Sequence, residues 1–102
     1  MTALHARKLV TVVCETALER RVLETLREAG AGGYTMSDVR GGGTRGERSG
    51  DWEGGRSVEI KVLCDEVTAG KIVDALLARY SADYALTLWV TDAAVARPGK
   101  FT

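Results

Sequence analysis

A chain of 102 residues builds one domain around one modest core. Fourteen basic residues balance fourteen acidic ones, which excludes the bulk electrostatic attraction that duplex DNA or an anionic membrane would use. Two cysteines, Cys14 and Cys64, and one histidine, His5, are too few for a zinc set.

The opening MTALHARK holds no apolar run, so no signal peptide or membrane span is expected and a cytoplasmic protein is the default. His5 is expected in a frayed N-terminus. Lys8–Cys14, KLVTVVC, is continuously β-branched and apolar, the pattern of a strand buried in mid-sheet. Thr16 and Glu19 are spaced as a capping box. The helix they would open carries Leu18, Val22, Leu26 and Ala29 on one stripe, with Leu23 beside it, and Gly30 ends it as a left-handed cap. Tyr34–Val39 predicts a second strand.

Gly41 to Gly55, GGGTRGERSGDWEGG, follows, with seven glycines and five charges in fifteen residues. No core forms from such a run, so segment 41–56 is expected to be a flexible loop. Its glycines leave backbone N–H groups open to close approach, and Arg45 and Arg48 carry forked donors suited to phosphate or carboxylate. The same residues would also serve as a solvated loop tip, and Trp52 as a partner anchor or a side chain folded back on its own subunit.

Ser57–Cys64 alternates cleanly, with Val58, Ile60, Val62 and Cys64 on one face and Glu59 and Lys61 on the other. Asp65 caps a second helix with a stripe of Ala69, Ile72, Val73, Leu76, Leu77 and Tyr80. Leu86–Thr91 alternates again, with Leu86, Leu88 and Val90 inward. Arg97 to Thr102 forms a tail.

Strand–helix–strand therefore occurs twice. The economical packing puts both helices on one face of an antiparallel sheet, the α+β, ferredoxin-like βαββαβ sandwich with strand order 4-1-3-2. That order puts Cys14 and Cys64 at opposite edges of neighbouring strands, out of disulfide reach. It also brings the glycine loop and the Ser81–Ala85 connection to one end of the sheet, where a ligand site is expected. Catalytic templates find little support: there is no asparagine or glutamine, no serine or cysteine with a histidine close by, and no phosphate loop opening a helix. An RNA-recognition sheet would need aromatics on its two central strands, and these have none.

The run from Gly30 to Gly43, GAGGYTMSDVRGGG, resembles the second strand and loop approach of PII signal-transduction proteins, G-x-x-G-x-T-x-x-E-V-K-G-x-G. The two βα units around it fit the rest of that fold, so the likeness extends over residues 1–102 as a single domain. The chain lacks the T-G-x-x-G-D-G-K loop before its last strand and the tyrosine that many members modify. Thr44-Arg45-Gly46-Glu47-Arg48 is instead similar to the S-R-x-x-R of PII-like proteins linked to bicarbonate uptake and carboxysomes. The resemblance implies a non-enzymatic homotrimer that binds an adenine nucleotide, ADP or AMP before ATP or cyclic AMP, together with bicarbonate, in clefts between subunits. A transporter or carboxysome-related protein would be the loop's target. Carried over residue by residue, Thr35 and the backbone of Val62 match adenine or ribose contacts. Gly41 and Gly43 match the loop approach over the phosphates, Arg45 and Arg48 the anion clamp, and Arg97 and Lys100 the basic C-terminal segment. Each has a plainer competitor, strand propensity for Thr35 and solubility for the arginines and the tail. Another ferredoxin-like trimer, such as a metal-tolerance or small-molecule-binding regulatory domain, and a purely structural oligomerisation module stay open as alternatives.

Overall fold

A computed structural model describes residues 2–43, 46–48, 56–80 and 84–102. Strand β1 runs His5–Glu15, and the described chain continues through α1 (Glu19–Glu28), β2 (Thr35–Val39), β3 (Gly41–Gly43), β4 (Gly46–Arg48), β5 (Ser57–Cys64), α2 (Glu66–Tyr80) and β6 (Thr87–Val95). The main sheet is antiparallel throughout, in the order β2-β5-β1-β6. This is the expected 4-1-3-2 order. The strand richest in β-branched and apolar residues, β1, takes a central place between two partners, with its Val10, Val12 and Cys14 face under the helices.

One face of the sheet meets the helices. Val10, Val12, Cys14, Val58, Ile60, Val62 and Cys64 are buried there against Leu18, Val22 and Leu26 of the first helical segment and Ala69, Ile72, Leu76 and Tyr80 of α2. Between the helices, the Thr25 and Tyr80 hydroxyls share a hydrogen bond of 3.2 Å, and Arg79 donates to Thr25 Oγ1 and Glu28 Oε1 at 3.1 Å each. Register pairs Cys64 with Lys8 and Cys14 with Val58, so about 20 Å of strand separates the two buried thiols and no disulfide joins them.

Three local expectations are corrected. The capping box does not form: Thr16–Leu18 is a 3-10 turn and neither it nor α1 has a side-chain cap. The Thr16 N–H that Glu19 would have accepted is already given to the Arg56 carbonyl at 2.9 Å. His5 is not frayed but pairs with Val95, because β6 is longer than its alternation suggested and runs along β1 from Val13 to His5. The α2 stripe is narrower than drawn, with Leu77 47% exposed. Within the glycine segment, β3 and β4 form a separate two-stranded ladder that pairs Gly41 with Arg48.

Two helix ends follow their sequence signals. Asp65 Oδ1 accepts the Thr68 N–H at 2.8 Å, which satisfies one orphan donor of α2 and holds the carboxyl below its ordinary range. Gly30 has φ 103°, and the bonds Gly30 N–H to Arg27 O and Ala31 N–H to Leu26 O close α1 as a Schellman motif. That stop turns the chain toward Gly32 and Gly33 and aims β2 along the sheet edge.

Candidate functional site

The second face of the sheet carries no helix. Its side chains lie in rows fixed by register, and one row runs Trp89, Thr11, Lys61, Thr35 from edge to edge. Thr11 is 2% exposed between its row-mates, whereas Trp89 is 44% exposed. The next row pairs Leu9 with Leu63. Because β6 runs antiparallel to β1 and ends opposite His5, it delivers the C-terminal tail to this same end of the sheet.

The tail makes a 3-10 turn over Pro98–Lys100. Arg7 on β1 reaches it, donating from Nε to the Phe101 carbonyl at 2.8 Å and from the guanidinium to the Pro98 carbonyl at 3.0 Å. Between turn and sheet lies a cleft of about 520 Å³. Leu9, Leu63 and Phe101 supply its apolar floor, Tyr34 and the backbone of Gly32 and Gly33 one wall, and Thr35, Lys61 and Lys100 its polar groups. Two lysines therefore line it, and among the described residues no Asp or Glu does. Glu59 pairs with Lys61 at 3.2 Å from beside it, but both are partly exposed and such a pair is weak enough to yield to a ligand anion.

An aromatic and aliphatic trough with a hydroxyl and two cations suits a planar ring attached to an anion. Among the described residues no three of His, Cys, Asp and Glu gather as a metal site, and no helix is long and apolar enough to cross a membrane. Away from the cleft, a hydrogen bond between Lys8 and Asp92 raises the lysine's pKa and lowers the carboxylate's. Burial raises that of the Cys64 thiol.

The sequence-predicted residues divide. Thr35 and Lys100 come together in the cleft, from the start of β2 and from the tail. The Val62 side chain is fully buried in the core, leaving only its backbone, flanked by the cleft residues Lys61 and Leu63. Gly41 and Gly43 stand in β3, where the backbone of Arg48 pairs with Gly41. Arg97 is exposed, and its carbonyl accepts the Lys100 N–H at 3.2 Å, but it does not line the cleft. Arg45 and Trp52, like 81–83 of the connection expected beside the loop, lie outside the described residues. The cleft is also not at the loop end, marked by the Val39–Ser57 pair, but at the opposite end of β2, marked by Thr35–Lys61. Lys61, Tyr34, Leu9, Leu63 and Phe101 were not singled out. Alternation put Lys61 on the helix-free face, yet only the register shows that it faces Thr35.

The model of the family described as nitrogen regulatory protein P-II matches residues 7–100. A PII-like signalling protein from Thermus thermophilus is 38% identical, with a TM-score of 0.85 over 98% of this chain and 99% of its own. CPII from Thiomonas intermedia, solved with ADP, AMP and bicarbonate, is 25% identical, with a TM-score of 0.89 over 99% of this chain and 98% of its own. A second structure of CPII, with ADP and bicarbonate, is 24% identical with the same TM-score of 0.89 and covers both chains completely. With sheet order, helix placement and sequence pattern in agreement from Arg7 to Lys100, the chain belongs to the nitrogen regulatory protein P-II family.

Proposed function

We propose that the protein is a non-enzymatic PII-like regulator that binds an adenine nucleotide, ADP or AMP, together with bicarbonate. The observation that carries this reading is the cleft: aromatic surfaces at Tyr34 and Phe101, a hydroxyl at Thr35, and two lysines with no Asp or Glu in the lining among the described residues. Bound ADP, AMP and bicarbonate in CPII support the same ligand class. The adenine lies over the apolar floor beside Thr35 and the Val62 backbone, and its phosphates run toward Lys61 and Lys100. Because the glycine segment leaves from the far end of β2, the Gly41, Gly43, Arg45 and Arg48 that meet phosphate or bicarbonate at this cleft would come from a neighbouring subunit, with Arg97 adding positive charge nearby.

The domain spans 1–102, with segment 41–56 as the signalling loop and 97–102 as the tail. The cleft opens beside β2, an edge strand, so a neighbouring subunit would close it, and the working form is a homotrimer. In a cytoplasmic setting the loop would report nucleotide and inorganic-carbon status to a transporter or carboxysome-related protein.

Calorimetric titration with AMP, ADP, ATP and cyclic AMP, each with and without bicarbonate, tests this. Saturable binding of ADP or AMP that bicarbonate strengthens is expected. Absence of binding by all four nucleotides would leave a structural oligomerisation module as the better reading.

A further inference from the structure

The tail that carries Lys100 has little to hold it by itself. Its turn contains no buried residue, and its internal bonds are two backbone contacts of 3.2 Å, Lys100 N–H to Arg97 O and Phe101 N–H to Pro98 O. Yet Lys100 and Phe101 line the cleft opposite Thr35 and Lys61. What fixes them there is Arg7. Its side chain makes three hydrogen bonds, all to backbone carbonyls: Ala6 at 2.7 Å, Pro98 at 3.0 Å and Phe101 at 2.8 Å. The Pro98 and Phe101 carbonyls bracket Lys100 in sequence, and both bonds are partly buried. Among the described residues Arg7 has no carboxylate within 4 Å, although its charge still acts on Asp65. A guanidinium is suited to this task, because its planar fork can hold two fixed acceptors at once while an ammonium is a single point. The Lys100 ammonium, 5.8 Å from the Phe101 ring centroid, then rests on a ring whose carbonyl is itself tied down.

We propose that Arg7 is a positioning residue that latches the C-terminal turn across the end of the sheet and so makes Lys100 part of the anion-holding cleft. The latch acts on affinity through Lys100 and touches no ligand. This rests on the nucleotide reading of the cleft, but the latch itself has a consequence that needs no ligand. With Arg7 present, Phe101 and Thr102 are withheld from an exopeptidase; without it, the turn opens and they are trimmed.

Two measurements on the full chain test it. In the first, carboxypeptidase digestion of ligand-free protein is followed by mass spectrometry. Arg7→Ala is expected to lose Thr102 and Phe101 about tenfold faster than the parent, and Arg7→Lys to fall between them, while far-UV circular dichroism stays unchanged. Equal trimming of parent and Arg7→Ala overturns the latch whatever the cleft binds. In the second, ADP affinity is measured for Arg7→Ala, Lys100→Ala and the double variant. Each single variant is expected to bind about tenfold more weakly, and the double variant no more weakly than Lys100→Ala alone. Fully additive losses would overturn action through Lys100. If the parent binds no nucleotide, the functional reading of the cleft fails while the trimming result still decides the latch.

Discussion

Lys61 and Lys100 reach the cleft from distant parts of the chain, one on β5 and the other in the tail. A charge-assisted hydrogen bond to phosphate is the strong kind, so Lys61→Ala is expected to weaken ADP binding about tenfold in calorimetry, with the sheet intact because Lys61 is outside the core. Arg45→Ala and Arg48→Ala are expected to act on a similar scale if they hold phosphate or bicarbonate, and unchanged affinity in both would return them to solubility. Among the titratable groups, Asp65 has the clearest structural duty. Its folded-state pKa is depressed by the Thr68 N–H, so the stability it lends is present above the unfolded carboxylate value and is lost as pH falls through the lower folded one. Acid titration of thermal stability should therefore show a drop in the parent that Asp65→Ala lacks, the variant being less stable at neutral pH. Asp92 behaves in the same sense through Lys8, whereas Lys8 itself lends stability below its unfolded pKa that is lost as pH rises through the raised folded one. The role of Asp65 was legible because a cap is a local bond; Lys61's was hidden because its partner Thr35 lies on another strand.

At the scale of elements, α2 is the helix most closely joined to the core. Ile72 and Leu76 are fully buried against the sheet. Truncating either to alanine removes apolar contact and leaves a cavity, for an expected loss of about 2–5 kcal/mol in denaturant unfolding. Gly30 matters for a different reason. At φ 103° a side chain is strained, so Gly30→Ala is expected to cost about 1–2 kcal/mol and to disturb the approach to Gly32, Gly33 and the cleft wall. A stability change in Gly30→Ala as small as that of an exposed alanine substitution in α1 would show the Schellman stop to be dispensable. The 3-10 turn at Thr16–Leu18 illustrates how an element departs from its local signal: the capping box is well spaced, but the carbonyl of Arg56, just before β5, takes its donor.

For the whole molecule, the helix-free face is the feature that calls for a partner. It places Val13, half-buried, and Trp89, 44% exposed, beside Glu59 and Lys61 on a broad surface. Packing three sheets together would cover the apolar groups and bring the edge-strand cleft against a neighbour. Sedimentation at micromolar concentration is expected to give a trimer, and Trp89→Glu to shift it toward monomer by forcing a charge into that contact. A monomeric parent would count against the trimeric reading, though not against the fold.

The sequence by itself determined the four strands of the main sheet and its two helices, the apolar face of most of them, and hence the sheet order, though not where β6 ends nor the short β3–β4 ladder. Those properties follow from residue period and from the few ways two βα units can pack. The glycine-bordered motif around Thr35 carried the family in the same way, because such a pattern is a local string. Only the tertiary structure decided where the cleft lies. β6 had to run along β1 as far as His5 before the tail could reach Leu9 and Leu63, and Arg7 had to find two carbonyls some ninety positions away. Such contacts depend on strand length and register, which no short window of residues encodes. The core was thus readable from periodicity, while the cleft, formed by the start of one strand, the middle of others and the end of the chain, was set by their meeting in space.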